Sequence, residues 1–255
     1  MRVILLLLLG LLLPINSNLN AQTINAEDLD LEYGLPKLIS EEDKRKALQK
    51  KRSKVLTQTV ATRVSRIVEA FDKAGTYEDE KTLILKSEDY TQTQKEKESK
   101  EKDKLIKKEV AKAQEELDWL KERIGSWKSY DKSMIWYYQG YINLVYADDL
   151  PGARENYLSL IREEDATPQI KLASYYTVSQ LYLADEDLDN GIKYLLLWFE
   201  RAPEVTAQAY VLLGQAYFLK DDYKKAFSNL KMAKKITEED GALFRENWCS
   251  LLIAT

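Results

Sequence analysis

The chain has 255 residues, with 45% hydrophobic and 31% charged side chains and a formal net charge of −4. That balance supports a buried core and excludes collagen-like, disordered and polytopic-membrane classes, while the mild acidity gives no global reason to expect nucleic acid as a partner. Nine Gly and five Pro favour helices over turn-rich β architecture, the absence of His removes Ser-His-Asp and His-ligated metal chemistry, and the single cysteine, Cys249, removes intramolecular disulfides and Cys-cluster zinc sites.

The amino terminus reads as an export signal over residues 1–21. Arg2 is followed by an apolar run, Val3 to Leu13, and a polar stretch that reaches Asn20-Ala21-Gln22. The run falls short of the ~20 residues that span a bilayer, and cleavage is expected after Ala21, with Ala26 the weaker site. Residues 22–39, which include Gly34-Leu35-Pro36, read as a flexible leader.

A helix start follows at Ser40-Glu41-Glu42-Asp43, with a capping hydroxyl and acids in the first turn. Leu48, Leu56, Val60, Val64, Ile67, Val68 and Phe71 then mark one helix face, and Gly75 is expected to end it. The first part of this helix is basic. Lys44, Arg45, Lys46, Lys50, Lys51, Arg52, Lys54, Arg63 and Arg66 occur with no acid between them. Such a surface, centred on Lys44, Arg45, Lys50, Lys51, Arg52 and Lys54, can meet a membrane surface or an acidic partner. It can equally pack against the chain's own acids, such as Glu163-Glu164-Asp165.

A second pattern runs from Tyr77 to Lys86, and a Lys/Glu-rich segment covers 86–108. This segment reads either as a solvated helix held by Glu-to-Lys pairs or as a flexible link. The apolar stripe returns at Leu105, Val110, Ala113, Leu117, Leu120 and Ile124, and Gly125 is expected to close it. Residues 40–124 are thus amino-terminal helices.

From 125 to 255 the chain repeats itself. Tyr175, Tyr182, Leu188, Gly191 and Leu195 recur, each shifted by 35, as Tyr210, Tyr217, Tyr223, Ala226 and Leu230. The best copy reads Tyr210-x2-Leu213-Gly214-x2-Tyr217, then Ala226-x3-Leu230. An earlier copy reads Trp136-x3-Gly140, then Ala153-x3-Tyr157, and a half copy starts at Trp248. This pattern resembles the tetratricopeptide repeat, whose period is about 34 residues. Phe71 to Tyr77 also resembles a repeat turn, with Glu80 standing where a small residue is wanted. The resemblance implies an all-α fold: a right-handed superhelical solenoid of antiparallel helix pairs, preceded by a helical extension and ending in an incomplete repeat.

In that fold the first helices line a concave groove. By repeat position the groove residues would be Met134, Tyr137, Tyr141, Tyr176, Gln180, Val211, Gln215 and Phe218. The Lys and Asn that hold a carboxylate in chaperone-binding members are absent at Tyr137, Tyr176 and Val211, which disfavours a co-chaperone role. The stretches Trp136-Tyr137-Tyr138-Gln139-Gly140, Leu172 to Leu183 and Ala209 to Tyr217 resemble a narrower group, exported tetratricopeptide proteins of Gram-negative bacteria associated with TonB-ExbB-ExbD systems. The resemblance implies a non-catalytic periplasmic scaffold for protein partners, those components among them. Two other readings stay open: a cell-envelope assembly factor that binds peptidoglycan machinery or outer-membrane protein precursors, and a non-catalytic subunit of an exported hydrolase.

No phosphate-cradling or dinucleotide glycine motif occurs, and no cofactor, metal or catalytic residue is expected. Acid pairs such as Asp148-Asp149 are expected at helix turns. The last helix carries Leu251, Leu252 and Ile253 with nothing after them, which points to self-association through that helix or to a shortened version of a longer protein.

Overall fold

A computed structural model describes residues 34–43 and 54–255, with the side chains of Glu246 and Asn247 left out. Contacts divide it into two compact units, one covering 54–171 and the other combining 34–43 with 172–255. The described residues are helical with no strand, and sequence-adjacent helices pack in pairs. The all-α expectation holds. The export signal, most of the leader and the basic residues Lys44, Arg45, Lys46, Lys50, Lys51 and Arg52 lie outside the described residues.

The first unit opens with two long antiparallel helices, α1 (Gln58–Lys86) and α2 (Gln92–Lys121). The sequence predicts one helix from Ser40 to Gly75, and its start holds, with residues 41–43 helical and Ser40 Oγ accepting from Asp43 N at 3.1 Å, while the structure corrects its middle and its end. Residues 54–57 are not helical, and α1 passes through Gly75 to Lys86. A mid-helix glycine costs about 1 kcal/mol relative to alanine, little beside the packing along a helix of this length. The resemblance of Phe71 to Tyr77 to a repeat turn fails for the same reason.

The charged segment takes the helical alternative. Thr91 caps α2 in a reciprocal box: its Oγ1 accepts from the Gln94 backbone N–H, and its own N–H donates to Gln94 Oε1 at 2.9 Å. The two helices are held in different ways along their length. Val60, Val64, Ile67 and Ala70 join Ala113, Leu117 and Leu120 in one buried cluster, and Ala74 and Ile106 are buried as well. Beyond them no residue is fully buried, and Lys81–Asp103 and Lys102–Glu80 ion pairs span the hairpin instead.

A single 3-10 turn (Ile124–Ser126) leads to α3 (Ser129–Val145), which pairs with α4 (Leu150–Arg162). The buried Asp131 of α3 reaches back to the start of α1, accepting from Thr57 N at 2.8 Å and Thr57 Oγ1 at 2.5 Å. This tertiary contact takes the place of a side-chain cap at Thr57, where α1 has none of its own.

Helix α5 (Pro168–Ala184) starts in the last residues of the first unit and runs into the second. There it meets α6 (Leu188–Phe199), followed by α7 (Ala207–Leu219), α8 (Tyr223–Glu239) and α9 (Glu246–Ala254). The core of this unit joins Leu195, Phe199, Tyr210, Leu213, Ala226, Leu230 and Trp248. Trp248 is buried and Leu251 and Leu252 are half-buried against the core beside it, which leaves Ile253 as the large apolar side chain of α9 that stands open. Gly34 to Pro36, the described end of the expected flexible leader, is packed against this unit.

Candidate functional site

The three helix pairs α3–α4, α5–α6 and α7–α8 turn by one chemical device. Asp148, Glu186 and Asp221 take the left-handed conformation at φ 53°, 61° and 60°. The next residue in each case is an aspartate that caps the following helix. Asp149 accepts from Gly152 N at 3.0 Å, Asp187 from Asn190 N at 3.1 Å and Asp222 from Lys225 N at 3.2 Å. The backbone N–H of each aspartate also donates back into the preceding helix, to Asn143, Tyr182 and Tyr217 carbonyls respectively, all at 2.9 Å. Asp222 is held below the usual carboxylate range by its hydrogen bond with Lys225.

Glycine seats bring the paired helices together. At Gly140 a Cβ would stand 3.0 Å from the Tyr157 ring, and at Gly214 it would stand 2.8 Å from Leu230 Cγ. Gly191 faces Leu183 in the same manner, at 2.5 Å. These residues occupy the small positions of the repeat pattern, and a larger side chain there would push the pairs apart.

The expected groove residues divide between the units. In the first unit, Tyr141 lies 5.0 Å from Phe71 and 5.9 Å from Tyr146, while Tyr137 lies 5.3 Å from Tyr138 and 6.5 Å from Tyr157. Burial raises the hydroxyl pKa of both Tyr137 and Tyr141. Met134 is half-buried on the same helix. In the second unit, the Tyr176 ring lies 5.1 Å from that of Trp198, tilted by 55°, and burial pushes its hydroxyl up to about 12. Val211 is buried, Gln215 and Gln180 are half-buried, and Phe218 contacts Tyr223 at 5.5 Å. Gln180 Nε2 is buried without a hydrogen-bond acceptor. The rings thus pack inside their own units and offer at most part of their surface. The large apolar side chains that stand open in the second unit include Leu219, Tyr223 and Phe227, at the α7–α8 turn and along α8.

Of the expected basic surface, Lys54 is described. Its ammonium donates to the Asp165 carboxylate at 2.8 Å and to the Asp165 carbonyl at 2.6 Å. Arg63 and Arg66 both pair with Glu116, and Arg63 lies over the Trp119 ring at 3.5 Å. These three cations pair with the chain's own acids, and the other five residues of the expected surface lie outside the described residues.

Sequence reasoning did not single out one polar network, which lies in the first unit. Gln139 is buried and bonds Gln114, Lys121 and Asn143, and Asn143 in turn donates to the capping Asp149 at 2.7 Å. The network ties α2 through α3 to the α3–α4 turn. Its sequence signal is an amide, Gln139, among the inward positions of α3. Among the described residues no helix is long and apolar enough to cross a membrane, and no group of three or more His, Cys, Asp or Glu stands where it could hold a metal. In comparison with known proteins, no family model, curated protein or solved structure matches the chain.

Proposed function

We propose that the chain is an exported helical-repeat scaffold of tetratricopeptide type that docks protein partners as a non-catalytic accessory of TonB-dependent energy transduction. In this reading α3 to α8 are three repeats of a right-handed solenoid, α9 begins a fourth, and α1–α2 form an extension. The observation that supports it best is the turn built three times over, at Asp148-Asp149, Glu186-Asp187 and Asp221-Asp222, with glycine seats beside it. Repeating units of this kind bury their apolar faces on one another and leave an extended surface for a partner. The α1–α2 pair stands apart, since its helices have 29 and 30 residues against 17 and 13 in α3 and α4.

Export rests on the Val3 to Leu13 run and its polar sequel. Fractionation of producing cells with amino-terminal sequencing tests it. A chain starting near Gln22 in the periplasmic fraction is expected, and an intact Met1 in the cytosol would overturn the reading. Affinity purification of the exported chain with mild crosslinking then separates TonB-ExbB-ExbD components from peptidoglycan machinery or a hydrolase as the partner.

A further inference from the structure

A short piece of the chain from before the first helices is seated on α8 in the second unit. Asn229 Nδ2 donates to the Gly34 carbonyl at 3.0 Å. Gly34 has φ +91°, and a Cβ there would lie 2.4 Å from Lys225 Cγ, so both the backbone and the space demand glycine. Leu35 packs against the core cluster of the unit, and Pro36 is buried. Lys37 and Leu38 are exposed and Ile39 is half-buried, so the close-fitting part of the segment ends at the proline.

The receiving side is built. Lys225 is pinned by an ion pair with Asp222 at 2.8 Å, and its ammonium lies 5.2 Å from the Tyr217 ring centroid. Asn229 is fully buried, shares its Nδ2 between Gly34 O and its own helix at Lys225 O, and leaves Oδ1 with no hydrogen-bond donor. A buried carboxamide in this state is half engaged. An extended backbone offers a carbonyl and an N–H together, and the seated segment satisfies Asn229 with the carbonyl alone.

We propose that α8 carries a peptide-reading slot, with Gly34-Leu35-Pro36 as its tethered ligand. The slot takes in trans an extended protein segment of the same chemistry: a glycine in the left-handed conformation, an apolar residue, then proline. Asn229 reads the backbone, Lys225 rejects any Cβ at the first position, and the core edge takes the apolar side chain. Tethering keeps the slot self-occluded, since a segment on the same chain acts at an effective concentration that can reach the millimolar range. This inference rests on contacts within the second unit and needs neither export nor the repeat class.

The test uses the full chain and a fluorescent peptide of residues 31–40, followed by anisotropy. Leu35→Asp in the chain releases the tethered segment, and Gly34→Val releases it independently should the first variant lose helicity. Both released chains are expected to bind the peptide at least about tenfold more tightly than the unaltered chain. A peptide carrying Gly34→Val is expected to bind at least about tenfold more weakly, because its first side chain meets Lys225. Adding Asn229→Ala to a released chain of native helicity should remove the gain. Equal binding by released and unaltered chains, equal binding of the two peptides, or no binding by a released chain of native helicity would overturn the proposal.

Discussion

At Gly214 the Cβ of any other residue would stand 2.8 Å from Leu230 Cγ and 3.3 Å from the Ala226 carbonyl. The helix pair cannot widen there without disturbing the core on both sides, so Gly214→Leu is expected to lower stability by ~1–3 kcal/mol. Gln180→Ala removes a donor that has no acceptor and should change stability by no more than ~0.5 kcal/mol. Thermal melts of the two variants check this order. The buried tyrosines set a second residue-level expectation. Tyr176 and Tyr210 are both pushed up to about 12 by burial, whereas an unfolded tyrosine ionises near ~10. Below ~10 both states keep the proton, and the stability these residues contribute is fully present. Above ~10 the unfolded state sheds protons first, so stability falls as pH rises towards about 12. Denaturant midpoints should drop across this alkaline window, with tyrosinate absorbance appearing as the chain unfolds.

At the scale of elements, the recurring turn joins two residues with opposite roles. Glu186 holds a left-handed φ of 61° that a side chain disfavours, while Asp187 supplies the cap of α6. Glu186→Gly is therefore expected to stabilise the chain by up to ~1 kcal/mol. Asp187→Ala is expected to destabilise it by ~1 kcal/mol. Chemical denaturation that gives both changes the same sign would contradict the turn assignment. The acid pairs at these turns were legible in the sequence, because a helix break between two periodic stripes leaves few other roles for them. The continuation of α1 through Gly75 was not. Glycine reads as a stop when weighed alone, and what carries the helix past it is its pairing with α2, through buried residues up to Ala74 and the Lys81–Asp103 and Lys102–Glu80 ion pairs beyond it, contacts between distant positions that no local pattern reports. The Thr91–Gln94 box was legible in principle, as a hydroxyl followed three residues later by an amide, but the surrounding Lys/Glu alternation suits helix and link alike.

Across the whole molecule, the helical class followed from few glycines and prolines together with three- and four-residue apolar spacing. The expected groove was less legible. Position in a repeat pattern names the residues of first helices, but it does not say how much of each ring its neighbours cover. Tyr176 shows why, since Trp198 on the next helix packs against it at 5.1 Å and part of the ring is covered. The seating of Gly34 to Pro36 on α8 could not have been read at all, because Gly34 and Asn229 lie 195 positions apart. The central claim, that the repeats dock an envelope protein, is tested most directly by photo-crosslinking in the producing cell. The crosslinker is placed at Gln215 on α7 or, as a control, at the exposed Thr62 on α1. The account predicts adducts with a TonB-ExbB-ExbD component from position 215 and none from position 62. Adducts from neither position, or with cytosolic proteins alone, would contradict it.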